Sequence, residues 1–73
     1  MTGMLKIMNG SGHTTVKWST DLQETVDAAN RTFNEMLAQG YTAFAVSGAT
    51  GEQIAEFDVD AENIVLIPRM VGG

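Results

Sequence analysis

Seventy-three residues hold one small domain, and hydrophobic and charged contents of 44% and 18% are those of a folded globule, not of a disordered acidic segment. Nine acids against Lys6, Lys17, Arg31 and Arg69 give a formal charge of −5, which argues against nucleic acid or a membrane surface as partner and admits a basic protein. The lack of cysteine removes disulfides, thiolate metal sites and a cysteine nucleophile. With no basic-then-apolar leader and no run of membrane-spanning length, a cytoplasmic setting is expected.

Met4 to Met8 reads as a short strand with Leu5 and Ile7 on one face and Lys6 on the other. Asn9-Gly10-Ser11-Gly12 is a turn, and His13 to Trp18 is a second strand with Thr14, Val16 and Trp18 on one side, so the two form a hairpin. Ser19-Thr20-Asp21 offers helix N-caps, and Thr20 with Gln23 matches a capping box. Leu22, Val26, Ala29, Phe33 and Met36 then recur at helical spacing as one apolar stripe, with Asp27, Arg31 and Glu35 on the wet side and Gly40 as the stop.

Tyr41 to Val46 is a strand in which Phe44 and Val46 face together, Gly48 to Gly51 is a turn, and Gln53 to Phe57 is a weaker strand. An acidic connection, Asp58 to Asn63, leads to a last strand over Asn63 to Ile67. Its continuously apolar Ile64-Val65-Leu66-Ile67 places it at the centre of the sheet. The order ββαβββ with a single helix predicts an α+β fold, a mixed sheet of four to five strands with the helix across one face. Residues 1–68 form the domain and residues 69–73 a flexible diglycine tail.

That tail carries the functional expectation. Pro68 ends the last strand because it cannot donate to a sheet, and Arg69-Met70-Val71-Gly72-Gly73 follow. Five residues can carry a carboxylate about 16–18 Å beyond the sheet. Two residues without side chains can enter a channel too narrow for any other residue type. Such a tail suits a carboxylate offered to another enzyme's active site.

Other candidate chemistry is weaker. His13 is the only histidine and sits beside a glycine turn, as a surface residue would. Asp58, Asp60 and Glu62 alternate as calcium-loop ligands do. The required glycine, however, is Asn63, and the bidentate acid is Arg69. Gly48-Ala49-Thr50-Gly51 lacks the Lys-Ser/Thr ending of a phosphate loop. Trp18 reads as core or rim packing, with an interface anchor as the alternative. No catalytic residue and no metal site is expected.

The element order together with Asn63 to Gly73 resembles the β-grasp family of ubiquitin and the sulfur carriers. The Ile67-Pro68 step, with Val71 just before the glycines, is similar to the molybdopterin-synthase small subunit and the thiamine sulfur carrier. Arg69, four residues before Gly73, sits where ubiquitin carries an arginine important to its activating enzyme. Related endings occur in β-grasp domains of some phage tail-assembly proteins.

The resemblance implies a protein substrate, not an enzyme. Gly73, supported by Gly72, would be adenylated by an E1-like enzyme that uses ATP and Mg²⁺, so this chain binds no cofactor of its own. Pro68, Arg69, Met70 and Val71 would be read by that partner. The activated carboxyl would form isopeptide bonds with target proteins, with a conjugating enzyme and an isopeptidase as further partners; Lys6 and Lys17 are the acceptors for self-attachment. The alternatives are a sulfur carrier with a C-terminal thiocarboxylate and a non-covalent assembly module. A monomer is expected.

Overall fold

A computed structural model describes residues 1–10, 12–48 and 50–68. The elements are β1 (Thr2–Asn9), β2 (Gly12–Ser19), α1 (Gln23–Ala38), β3 (Thr42–Ser47), β4 (Thr50–Ile54) and β5 (Asn63–Ile67). They form one five-stranded mixed sheet in the order β2-β1-β5-β3-β4. β5 runs parallel to β1 and antiparallel to β3, and the outer pairs are antiparallel hairpins. The architecture is the expected α+β, β-grasp-like arrangement with the most apolar strand at its centre.

Strand alternation divides the sheet into two faces. Leu5, Ile64, Leu66, Ala43 and Trp18 point to the helix side and are buried together with Ala29 and Phe33 of α1. Val26 and Met36 of the predicted stripe pack at the edge of this core. Trp18 is core, not an interface anchor. It lies over Gly3, its partner on β1, where any Cβ would fall on the indole ring. Its Nε1–H donates to the Val59 carbonyl at 3.2 Å.

The helix ends as its sequence implies. Gly40 has φ +96°, and the Tyr41 and Gly40 amides donate to the Met36 and Leu37 carbonyls at 3.1 and 3.0 Å, closing a Schellman turn. Its start differs from expectation. No capping box forms: Leu22 is the N-cap residue with no side-chain cap. Thr20 Oγ1 donates to the Met1 carbonyl, and Gln23 Nε2 donates to Asp27. Leu22, placed on the apolar stripe by its spacing, precedes the helix and is 53% exposed. Thr25 secures this end instead. Its hydroxyl accepts the Ser19 amide at 2.8 Å and approaches the Leu22 carbonyl at 2.6 Å, tying the end of β2 to the first helical turn.

The fourth strand is also corrected. It occupies Thr50–Ile54, not Gln53 to Phe57, and pairs with β3 through a tight hairpin in which Ser47 opposes Thr50 and Gly48 takes φ +61°. Ile54 faces the core, so a strand continued to residue 57 would turn Phe57 away from it and Glu56 into it. The chain bends at Ala55-Glu56 instead. Phe57 turns inward, edge-on to Trp18 (centroids 4.9 Å) and to Phe33 (5.9 Å). Phe57, Val59 and Ala61 then pack on the core while Glu56, Asp58, Asp60 and Glu62 stay exposed. This acidic connection is a strap across the open end of the core.

Candidate functional site

The face of the sheet away from α1 is the candidate site. The register places Lys17, Met4, Asn63, Val46 and Gly51 in one row and Thr15, Lys6, Val65, Phe44 and Gln53 in the next. His13 with Met8 and Thr42 with Ile67 follow at the end where β5 leaves the sheet. Met4, Phe44, Val46 and Val65 therefore form a contiguous apolar surface outside the buried core cluster. Met8 and Ile67, 40% and 42% exposed, extend it to the root of the following segment. Scattered surface hydrophobics are ordinary, whereas a continuous apolar strip rimmed by charge marks an interaction surface.

The charges are sorted as well. Lys6 and Lys17, one half-buried and one exposed, both stand on this face. The acids lie elsewhere: Asp21 before the helix, Glu24, Asp27 and Glu35 on it, Glu52 on the helix-side parity of β4, and the rest on the strap. Among the described residues the two lysines thus stand on the apolar face, while Glu62 borders it beside Met4 and Lys17 and the strap acids border it at Val46.

At the opposite end of β5, Glu52, Asp58, Asp60 and Glu62 line an open concavity of about 350 Å³ with Met1, Val46 and Ser47. Asp58 is a turn residue here. Its carboxylate accepts the Asp60 amide at 3.0 Å and its carbonyl the Ala61 amide at 3.1 Å. Among the described residues no group of three acids or histidines is placed to hold a metal ion.

Of the residues singled out in the sequence, Pro68 follows β5 directly and is half-buried, and Lys6 and Lys17 share the open face. Arg69, Met70, Val71, Gly72 and Gly73 lie outside the described residues. His13 is exposed beside the β1–β2 turn. Sequence reasoning did not find the apolar face. The signal was β3, Thr-Ala-Phe-Ala-Val-Ser, where both alternating sets are apolar and the larger one faces away from the helix. Among the described residues no helix is long and apolar enough to cross a membrane. Comparison of the chain with protein-family models, curated proteins and solved structures gives no match.

Proposed function

We propose that this protein is a ubiquitin-like modifier, docked through its open sheet face and attached to target amines through Gly73 as the C-terminal residue of the mature chain. One observation carries the proposal: the central strand, paired on both sides, leads through Ile67 and Pro68 toward the diglycine segment, and the half-buried apolar face reaches that same point through the exposed Met8 and Ile67. A strand held by two neighbours gives the segment a rigid root. The face beside it gives an activating enzyme a surface to grip while the glycines enter its channel.

The chemistry would belong to the partner. A carboxylate has no leaving group, so attack on ATP by Gly73 would form an acyl-adenylate and release pyrophosphate, with Mg²⁺ balancing the phosphate charge. A target lysine amine would then displace AMP, directly or through an enzyme thioester, forming an isopeptide bond and losing a proton. Arg69 would pair with an acidic pocket through its planar fork. Met70 and Val71 would lie extended in an apolar groove.

A second reading shares the docking and the adenylate but ends in sulfur transfer, giving a thiocarboxylate; the Ile67-Pro68 step favours it. The test is to express the tagged chain and its Gly73→Ala variant in the source cells. Denaturation-resistant ladders lost in the variant support modification. A mass gain matching oxygen-to-sulfur exchange supports the carrier. A free carboxylate with neither product would leave the assembly module.

A further inference from the structure

β2 forms one edge of the sheet, and the direction of its free backbone groups can be derived. The Thr20 amide donates to the Met1 carbonyl at 2.9 Å, whereas the Ser19 amide turns away from its partner Thr2 and donates to Thr25 Oγ1 at 2.8 Å. Residues of an antiparallel pair alternate between exchanging both bonds with their opposite number and pointing both groups away. Gly12, Thr14, Val16 and Trp18 therefore bond to β1, and His13, Thr15 and Lys17 aim their N–H and C=O groups out of the sheet. The register runs unbroken from Thr2↔Ser19 to Asn9↔Gly12, so no bulge re-aims them. Among the described residues, these outward groups have no hydrogen-bond partner within the chain.

The opposite edge is guarded. β4 has five residues and turns Glu52 toward the helix side, opposite Ala45. Short length and an inward charge are two devices that keep an edge from pairing. β2 has eight residues, no proline and no inward charge. Lys17 limits it, as does its end at Ser19, where Thr25 holds the amide and Leu22 bridges back to the carbonyl at 2.9 Å.

We propose that β2 pairs with β2 of a second copy, antiparallel, about a two-fold axis through Thr15. In that register Thr15 faces Thr15, His13 of each copy faces Lys17 of the other, and every outward group of the three residues finds a partner. The alternatives are poorer. With the axis at Thr14, Lys17 is carried past the start of the opposite strand. With the axis at Val16, His13 meets Ser19, whose amide Thr25 already holds. The strand is thus complementary to itself in one register, which singles out a second copy over an unrelated strand.

Residues opposite one another in such a pair share a face, so both helices lie on one side of a continuous sheet. Both open faces lie on the other side, adjacent and uncovered. A single strand pair buries less than about 1,200 Å², the range of weak, reversible association. The dimer is therefore concentration-dependent, and it does not rest on the proposed modifier activity.

The test is sedimentation equilibrium of the full chain from micromolar to millimolar concentration, with amide hydrogen exchange followed by NMR over the same range. The expected mass rises toward twice the monomer. The amides of His13, Thr15 and Lys17 gain protection in step with it, while those of Thr14 and Val16 stay constant. Thr15→Asp, which opposes two carboxylates on the axis, and Thr15→Pro, which removes the central donor at a site where an edge tolerates proline, should each weaken association by about tenfold or more. Unchanged helical circular dichroism shows that both variants fold. A monomer mass at millimolar concentration, protection confined to other residues, or a dimer indifferent to both substitutions would overturn the proposal.

Discussion

The two faces of this sheet are built from alternate residues of the same strands, yet only one is closed. On the helix side Leu5, Ile64, Leu66 and Ala43 disappear beneath Ala29 and Phe33, with Trp18, Phe57 and Val59 sealing the end. On the other side Met4, Phe44, Val46 and Val65 make an apolar strip, with Lys6 and Lys17 beside it and, among the described residues, no helix across it. The difference separates two uses of hydrophobic area. Burial on the first face stabilises the fold. The second face retains apolar surface that folding does not consume, beside the strand that leads into the diglycine segment.

The contrast is broken most severely from the closed side. Leu66→Ala, at a fully buried central position, should cost about 3–5 kcal/mol. For so small a domain that is most of the available stability, so urea titration should find it largely unfolded. A mild loss would show that the core is not centred on β5. Gly3→Ala comes next. Its methyl group falls on the Trp18 ring, and an overpacked seat should cost about 1–3 kcal/mol, with the near-ultraviolet tryptophan signal changed at the same time.

Phe44→Ala sharpens the comparison from the open side. Phe44 is half-buried, so its loss should cost about 1–2 kcal/mol in urea unfolding, well below Leu66→Ala. Conjugate or thiocarboxylate yield in source cells should fall about tenfold or more, as when a central aromatic anchor of an interface is truncated. Equal losses of stability and yield would return Phe44 to the core. The smallest expected effect is Thr25→Val, which removes the hydroxyl holding Ser19 and Leu22. We expect a loss of about 1 kcal/mol in thermal or urea unfolding, with yield unchanged.

Much of the fold was legible because burial leaves periodic traces. The alternation of Thr14, Val16 and Trp18 gave β2 its inner face, and the unbroken Ile64-Val65-Leu66-Ile67 gave β5 its central place. The spacing of Val26, Ala29, Phe33 and Met36 gave the helix. What failed was decided by tertiary contact. Residues Glu52 to Glu56 carry little alternation, and the bend that ends β4 exists because Phe57 finds Trp18 and Phe33. The capping box was a local pattern overruled when the Met1 carbonyl claimed Thr20. Alternation showed that Phe44 and Val46 share a face but could not say which face the helix would cover, so the apolar face was missed. Arg69 to Gly73, which lie outside the described residues, rest on residue type and order alone.

The central claim, that Gly73 is the group this domain exists to present, is tested most directly by mass spectrometry of proteins from the source cells after trypsin digestion. Cleavage after Arg69 leaves Met70-Val71-Gly72-Gly73 on any amine to which the protein is joined. The expected result is target lysines carrying that remnant through an amide to Gly73, absent from cells whose only copy is the Gly73→Ala variant. Finding Gly73 only as a free carboxylate, or inside a longer uncleaved chain, would contradict it.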